Sequence, residues 1–346
     1  MIRLYNSIPK DKIFGLHKIL RHLIFDIWCK ANNIEWKEKT NNKKLKKLLH
    51  YSVKKDVTFE EEIERIYNIF RTLSPEENQK IKKAWKINNN IQKLCDKTIL
   101  PIYLKDLPPV IKKDIKPLFE WCYEYLINQK EVSGDKLKYY NKLISLNKFK
   151  TCPCCGLIPI ESTENNYRED YDHFIPKSIF PFASVNFKNL VPACNKCNSK
   201  RKSSKNPIIN TKKAFYPFTD SSYDHDISIN FKINNMKKLD SLERKDLEII
   251  FVLKNKNSEL QTWNWLFDIE ERYNDTVRGF TKTFLRDIKS IHRMIEKKDK
   301  KAKYKETIDD LIDMYIEDKF EENRFLKIPL LEIIKKRKDI VDIFNN

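Results

Sequence analysis

Four cysteines in the middle of the chain have the spacing of metal ligands. They form two Cys-x-x-Cys pairs, Cys152 with Cys155 and Cys194 with Cys197. Two residues between thiols permit a tight turn that brings both sulfur atoms to one tetrahedral Zn²⁺, and Gly156 suits the turn after the first pair. Because the cysteines cluster and no secretion signal is visible, metal ligation is favoured over disulfides. We therefore predict a structural zinc ion held by the two pairs.

A second group of residues, between and just after the cysteine pairs, has the chemistry of a hydrolytic centre. Asp172 and His173 are adjacent, Asn189 comes later, and Asn198 directly follows the last cysteine, where a helix should begin. Carboxylate and amide oxygens suit Mg²⁺ or Mn²⁺, and a neutral imidazole beside such an ion can take a proton from water. We expect the Asp-His pair on a strand and Asn198 on a helix to meet at one point.

The central segments resemble a known enzyme family, the HNH endonucleases. The resemblance covers residues 152–202, and its motifs are CPCCG at 152–156, YDHFIPKS at 171–178 and NLVPACNKCNSKRK at 189–202. It implies a zinc-bearing ββα-metal module, also called a His-Me finger, that hydrolyses phosphodiester bonds in DNA and leaves 5′ phosphate and 3′ hydroxyl ends. The rest of the chain lies outside the resemblance.

Carried over residue by residue, the resemblance assigns a role to each polar residue of the second group. His173 would be the general base that deprotonates the attacking water. Asp172 and Asn198 would hold the catalytic Mg²⁺ or Mn²⁺, which would contact the scissile phosphate. Asn189 would tie the hairpin loop so that the imidazole is oriented.

Positive charge is concentrated beside this group. Between residues 174 and 215 there is no Asp or Glu, whereas nine Lys or Arg residues occur. The whole chain carries 68 Lys and Arg against 49 Asp and Glu, a net charge of +19, although an AT-rich genome alone could favour lysine. The HNH family often has a lysine three residues after the last asparagine; Arg201 stands there, so Lys200, Arg201 and Lys202 are the candidate phosphate contacts. Such contacts give affinity without sequence choice.

The regions that must position these residues differ in composition and in hydrophobic periodicity. Residues 1–147 show helical periodicity, with capping boxes beginning at Thr58 and at Ser74. Residues 148–218 are rich in Cys, Pro, Asn and Ser and lack helical periodicity, which is typical of a small metal-bound module. We predict that this segment is the nuclease module and that the first region is a helical flank.

Residues 219–346 form the third predicted region. Apolar and polar residues alternate strictly over 227–233, which is typical of a half-buried strand, and 247–254 is a candidate partner strand. Helical periodicity follows. The predicted fold class is α+β, with predominantly helical flanks around a zinc-stapled ββα-metal module.

Composition excludes several classes of protein. Only 4 of the 346 residues are glycine, against a typical share of about 7%, so Rossmann, P-loop and repeat-barrel folds are disfavoured. No run of about 18 uncharged apolar residues occurs, which excludes a membrane-spanning segment. A chain with 40% hydrophobic and 34% charged residues is expected to fold, and we expect it in the cytoplasm.

Three functions fit these observations. The leading one is a metal-dependent HNH endonuclease acting on DNA. A zinc-knuckle protein that binds nucleic acid without cutting it would explain the zinc and the charge, but not the Asp-His pair and its two asparagines. An RNA-cleaving effector on the same fold is the third. Similar HNH proteins occur in bacterial restriction and anti-phage systems, some beside an ATPase as in Septu-like pairs. That resemblance implies a role in antiviral defence and an ATPase partner.

Overall fold

The fold combines many helices with a few short strands. The structure is a computed structural model that describes residues 1–32, 36, 42–129, 131–132, 134–209, 211–220, 227–234, 236–300 and 303–337. About 55% of the chain is helical and the sheets are small. The predicted α+β class is therefore confirmed at this level. No described helix is both long and apolar enough to span a membrane.

The chain divides into two compact units, each assembled from separate stretches of sequence. The larger unit consists of Leu4–Phe149 and Ile160–Tyr223. The smaller unit consists of Met1–Arg3, Lys150–Pro159 and Asp224–Asn346. The division into a helical region, a nuclease module and a C-terminal region stays a prediction.

Helices make up most of the larger unit. The α-helices are Gly15–His22, Lys43–Lys46, Phe59–Phe70, Pro75–Asn88, Ile91–Cys95, Lys116–Glu124 and Lys136–Asn147. Wider π-helical segments are Leu23–Ile27, Ile111–Ile115 and Lys196–Lys202, and short 3-10 turns are Lys12–Phe14, Trp28–Lys30, Leu104–Asp106, Leu126–Asn128 and Pro181–Ala183. Large buried side chains such as Trp28, Phe59, Phe70 and Phe119 fill the core between them.

Two of the predicted helix starts are confirmed in detail. The Thr58 hydroxyl accepts a hydrogen bond from the Glu61 amide, and the Glu61 carboxylate accepts one from the Thr58 amide. Ser74 and Glu77 form the same reciprocal pair at the next helix. Each box satisfies backbone donors that a helix leaves unpaired at its first turn.

Strands in the larger unit are short and pair two by two. They are β1 (Tyr5–Asn6), β2 (Ser52–Lys54), β3 (Val57–Thr58), β4 (Tyr171–His173), β5 (Leu190–Pro192) and β6 (Phe218–Thr219). β1 and β6 are parallel, whereas β2 with β3 and β4 with β5 are antiparallel. The pair formed by β4 and β5 carries the candidate chemistry.

The smaller unit joins one hairpin-like strand pair to a helical bundle. β7 (Ser228–Ile233) and β8 (Leu247–Val252) pair antiparallel along their full length, which confirms the strands that the sequence predicted here. The 3-10 segments Met236–Ser241 and Arg244–Asp246 lie between them, and the helices Asn257–Phe267, Ile269–Lys298, Tyr304–Glu317 and Arg324–Lys335 follow. Trp263, Tyr273 and Phe325 are buried among these helices.

Candidate functional site

The four cysteines of the two Cys-x-x-Cys pairs converge. The sulfur atoms of Cys152, Cys155, Cys194 and Cys197 all lie within 4.8 Å of one another, and all four residues are buried. Four thiolates bound to one tetrahedral Zn²⁺ through bonds of about 2.3 Å lie roughly 3.8 Å apart. The observed spacing is compatible with one shared ion. These cysteines could therefore bind a structural metal such as zinc, as their spacing in the sequence predicted.

Both cysteine pairs form the same type of turn. The Cys152 carbonyl accepts hydrogen bonds from the amides of Cys155 (3.2 Å) and Gly156 (2.7 Å). The Cys194 carbonyl accepts equivalent bonds from the amides of Cys197 (2.9 Å) and Asn198 (3.0 Å). The first turn is completed by Gly156 at φ +70°, a conformation that glycine adopts at low cost. The second turn continues instead into the helix Lys196–Lys202.

Two aromatic side chains of the smaller unit hold the first turn in place. Trp263 donates its indole N–H to the Cys154 carbonyl (2.7 Å), and the Tyr273 hydroxyl donates to the Cys155 carbonyl (2.8 Å). Cys154 itself does not belong to the group of converging sulfur atoms. Buried aromatic donors thus fix the backbone between the first two cysteines.

The predicted Asp-His pair lies on a strand. In the antiparallel pair of β4 and β5, Asp172 is opposite Val191 and His173 is opposite Leu190. Asn189 immediately precedes β5, and its carbonyl accepts a hydrogen bond from the Phe174 amide (2.8 Å). The strand pair therefore brings Asn189 beside His173, although 16 positions separate them in sequence.

The side chain of Asn189 is fully buried and makes three hydrogen bonds. Its Oδ1 accepts from the Ile175 amide (2.8 Å), and its Nδ2 donates to the carbonyls of Ile175 (3.0 Å) and Ala183 (3.2 Å). These bonds tie together the two ends of the loop that connects β4 to β5. The arrangement is the one that a loop-tying asparagine requires.

The imidazole of His173 is half-buried and held in one orientation. Its Nε2 lies 2.9 Å from the Ser184 carbonyl. A carbonyl can only accept, so Nε2 carries the proton and a neutral ring has its lone pair on Nδ1. Burial, together with the nearby charges of Lys177, Lys202 and Lys136, lowers the pKa of His173 to about 3, although the hydrogen bond to the Ser184 carbonyl opposes this shift. The ring is therefore neutral near pH 7.

Asp172 forms a buried ion pair with Lys202, which the sequence analysis predicted to contact phosphate. The Lys202 ammonium donates to Asp172 Oδ1 (2.9 Å) and to the His173 carbonyl (2.8 Å). Asp172 is 4% exposed and Lys202 is 0% exposed. Burial raises the pKa of Asp172, and the Lys202 charge opposes that rise. The ammonium of Lys202 thus lies inside the protein, in contact with the strand that carries Asp172 and His173. It does not lie at a surface where it could contact a phosphate.

Asn198 lies on the same helix as Lys202, near its start. Asn198 is half-buried, and its backbone N–H donates a hydrogen bond to the Cys194 carbonyl. Its side chain has no hydrogen-bond partner within the described ranges. Asp172 Oδ2 is likewise without a hydrogen-bond partner among the residues that the structure describes. The structure thus brings Asp172, His173 and Asn189 to the strand pair β4–β5 and places Asn198 on the helix whose Lys202 pairs with Asp172.

Most residues of the basic segment 174–215 are buried, but five of its nine Lys and Arg residues are exposed. Four of its lysines are exposed and have no carboxylate within ion-pair distance among the described residues; they are Lys188, Lys196, Lys200 and Lys212. Lys177 differs because its ammonium pairs with the Glu124 carboxylate (2.8 Å), and Arg201 is half-buried. Of the three predicted phosphate contacts, Lys200 is thus the exposed one.

Two groups that contact the candidate centre, Tyr123 and the Ser184 carbonyl, were missed in the sequence, and a third, Lys202, was predicted with another role. The Tyr123 ring packs edge-on against the His173 ring, with centroids 4.6 Å apart. The Ser184 carbonyl holds the imidazole, and Lys202 holds Asp172. No pattern singles out Tyr123 or a backbone carbonyl, because both act through tertiary contacts. The signal for Lys202 was its place at the end of a basic helix, which indicates charge but not burial.

Comparison with known proteins finds one relative over part of the chain. The Septu protein PtuB of Bacillus thuringiensis is 39% identical over 94 residues, which make up 25% of this chain and 33% of that protein. The match thus spans about a third of the length of this relative. No protein-family profile matches the chain, and no solved structure matches it. The chain is therefore similar in part to a Septu protein and contains a four-cysteine cluster suited to a metal ion.

Proposed function

We propose that the chain is a metal-dependent HNH-type endonuclease that hydrolyses phosphodiester bonds in DNA. The observation that carries the proposal is the strand pair β4–β5, in which Asp172 and His173 lie on β4 and the loop-tying Asn189 directly precedes β5. A helix that begins at the second cysteine pair packs its Lys202 against the same group. A purely structural zinc knuckle does not require a buried acid beside a histidine whose tautomer is fixed.

The donor set fits a hard divalent ion. Asp172 Oδ2 and the Asn198 amide oxygen are the residues that would hold Mg²⁺ or Mn²⁺, which favour oxygen ligands. Such an ion supplies Lewis-acid stabilisation of the charge that develops on the phosphate and the leaving oxygen. Lys202 keeps the carboxylate of Asp172 in place through its other oxygen.

His173 would take a proton from the attacking water at Nδ1. The bond from Nε2–H to the Ser184 carbonyl directs Nδ1 away from that carbonyl and prevents ring rotation. Asn189 holds the loop that carries Ser184 through its bond to Ala183. With a pKa of about 3 the ring is a weak base, and the negative charge of a bound phosphate would raise that pKa toward the working range.

The test compares His173→Ala with a matched control, His50→Ala, which removes an exposed histidine of the same unit. Plasmid, single-stranded DNA and RNA are incubated with each protein in Mg²⁺ and in Mn²⁺. We expect His173→Ala to lose cleavage by about 10²-fold or more, while nucleic-acid binding, zinc content and melting temperature stay unchanged. His50→Ala should cut like the wild type. A wild-type protein that cuts none of the three substrates would refute the proposed endonuclease activity. A fully active His173→Ala variant would refute the proposed role of His173 in it.

One observation favours a second candidate, a binding protein that does not cut. The Lys202 ammonium already neutralises Asp172, and a neighbouring positive charge weakens the attraction of a carboxylate for a divalent cation. In that case wild type and His173→Ala would bind DNA equally and neither would cut. Titration of the protein with Mn²⁺ distinguishes the nuclease from the binding protein. The nuclease requires that the wild type binds Mn²⁺ and that Asp172→Asn abolishes this binding.

The partial similarity to a Septu protein supports a role in phage defence. We carry over, as part of the proposal, an ATPase partner of the kind found in Septu-like pairs. Expressing the chain with its neighbouring genes should reduce phage plating, and His173→Ala should abolish that protection. Protection that survives this substitution would argue that cleavage at His173 is not the defensive activity.

A further inference from the structure

The larger unit contains a polar cavity that the proposed hydrolysis does not use. Its volume is about 360 Å³, within the range of small-ligand pockets of about 300–1,000 Å³. The helix Gly15–His22 contributes Arg21, the helix Pro75–Asn88 contributes Lys86, and the loop before β5 contributes Lys188. Three cations from distant parts of the sequence therefore face one space.

The positive charge of this cavity is not neutralised by the protein. Arg21, Lys86 and Lys188 are exposed, and no Asp or Glu lines the cavity. Within the described residues none of the three lies at ion-pair distance from a carboxylate. The Arg21 guanidinium instead lies over the Phe25 ring at 4.5 Å, and the Lys86 ammonium lies 5.7 Å from the same ring. A concave site with uncompensated cations attracts anions.

The remaining walls offer contacts for a planar group. Trp85 and Ile91 are 3% and 2% exposed and contribute apolar surface. Tyr216 is half-buried, and its hydroxyl donates to the Lys188 carbonyl (3.1 Å), which fixes one wall to another. Gln92 is exposed and presents an amide, a group that can pair with the edge of a base.

A hydrogen-bond network behind the wall holds the cavity in shape. Asn89 Oδ1 accepts from His17 Nε2 (2.9 Å) and from Asn186 Nδ2 (2.9 Å), while Asn89 Nδ2 donates to the Trp85 carbonyl (3.0 Å). The His17 ring also stacks on Trp85, with centroids 5.0 Å apart. A pocket whose polar groups are already fixed loses less entropy when a ligand binds.

We propose that this cavity binds one nucleotide, either free or as a unit of a nucleic-acid strand. The three cations take the phosphate, Trp85 and Ile91 face the base, and Gln92 pairs with its edge. Neither phosphate alone nor an apolar molecule uses all of these groups. The inference concerns binding only and does not depend on cleavage at His173.

The test measures the affinity of the full chain for three probes without added divalent metal: inorganic phosphate, AMP and a short single-stranded oligonucleotide. The cavity variant is Arg21→Gln with Lys86→Gln and Lys188→Gln, and the matched control is Arg71→Gln with Lys112→Gln and Lys113→Gln, which replaces exposed cations of the same unit. Both variants lose the same net charge. We expect the cavity variant to bind AMP or the oligonucleotide about tenfold more weakly or worse, and the control to change less than about twofold.

The probes separate the two sources of the nucleotide. Weakened AMP binding identifies a free nucleotide, and weakened oligonucleotide binding without AMP binding identifies a unit of a strand. Gln92→Ala should weaken whichever of these binds by about threefold and leave phosphate unchanged. Equal losses in both triple variants, phosphate binding as tight as that of AMP, or no binding of AMP or oligonucleotide by the wild type would overturn the proposal. Lys188→Gln alone repeats the test if the triple variant does not fold.

Discussion

The cysteine cluster is fully buried and the centre around His173 is partly buried, and the two differ in what can hold them together. In the His173 centre, protein groups satisfy one another: Lys202 pairs with Asp172, and Asn189 ties the loop. In the cysteine cluster, four thiols of the same kind converge within 4.8 Å, an arrangement whose natural partner is a shared cation. The difference teaches that the His173 centre is held by internal hydrogen bonds, whereas the cysteine cluster is suited to being held by a shared metal ion.

The largest effect should come from breaking the cysteine cluster. Cys194→Ser removes one of four thiolate ligands, and we expect loss of bound zinc with a loss of unfolding free energy of at least about 4 kcal/mol, because metal binding is coupled to folding. Elemental analysis and denaturant unfolding measure both. Cys154→Ala is the control, since Cys154 is buried beside the cluster but is not one of its sulfur atoms. It should keep one zinc per chain and cost about 1–2 kcal/mol.

An equal zinc content in Cys194→Ser and Cys154→Ala would contradict a four-thiolate site. Chelation offers an independent check. Removal of metal from the wild type should lower its melting temperature, and it should leave the melting temperature of Cys194→Ser unchanged.

The second effect should come from the buried ion pair of the His173 centre. Lys202→Met leaves the Asp172 carboxylate buried without its counter-charge, which should cost about 3–5 kcal/mol of unfolding free energy. The double variant with Asp172→Asn should recover much of that loss, because it removes the uncompensated charge. Denaturant unfolding of both single variants and the double variant measures the coupling.

Lys200→Met is the matched control for this pair. Lys200 is exposed on the same helix, so its loss should change the stability by less than about 0.5 kcal/mol. If Lys202→Met is no more costly than Lys200→Met, Lys202 does not stabilise Asp172 from the protein interior.

The two centres also differ in how far the sequence could predict them. The cysteine spacing was sufficient to predict the cluster, since a two-residue spacer restricts the turn. The strand position of Asp172 and His173 followed from the motif as well. The burial of Lys202 could not be predicted, because charge patterning shows that a helix end is basic but not which side chain turns inward. The contact of Tyr123 with His173 joins a helix and a strand far apart in sequence, so no local pattern contains it.

The same contrast applies to the fold. Helix starts at Thr58 and Ser74 and the strand Ser228–Ile233 depend on residues close in sequence, and these predictions are confirmed. The membership of Met1–Arg3 in the smaller unit depends on long-range contacts, such as the bonds from Arg3 Nη2 to the carbonyl and hydroxyl of Thr151 (both 2.7 Å). Such pairings are set by packing rather than by propensity, so periodicity did not reveal them.

A third effect should come from the loop-tying amide. Asn189→Ala leaves one buried amide and two buried carbonyls without their partner, which should cost about 2–4 kcal/mol. Amide exchange at Ile175 should become faster, because its N–H loses Oδ1 of Asn189. Asn195→Ala, at an exposed position without a capping bond, is the control and should leave stability and exchange unchanged. Unchanged exchange at Ile175 in Asn189→Ala would contradict the role.

The smallest effect should come from protonation of His17 at acid pH. This residue is hydrogen-bonded to Asn89 and lies outside both centres. Burial lowers the pKa of His17 to about 4, against about 6.5 in the unfolded chain. Between these values the unfolded state binds the proton and the folded state does not, so stability falls as the pH falls from 6.5 to 4. The loss should reach about 1–3 kcal/mol, and His17→Gln should lack it. Acid also protonates thiolates that bind a metal ion. Any such loss is common to both proteins, so the difference between their stability curves isolates His17. Parallel curves would show that the ring is charged in the folded state.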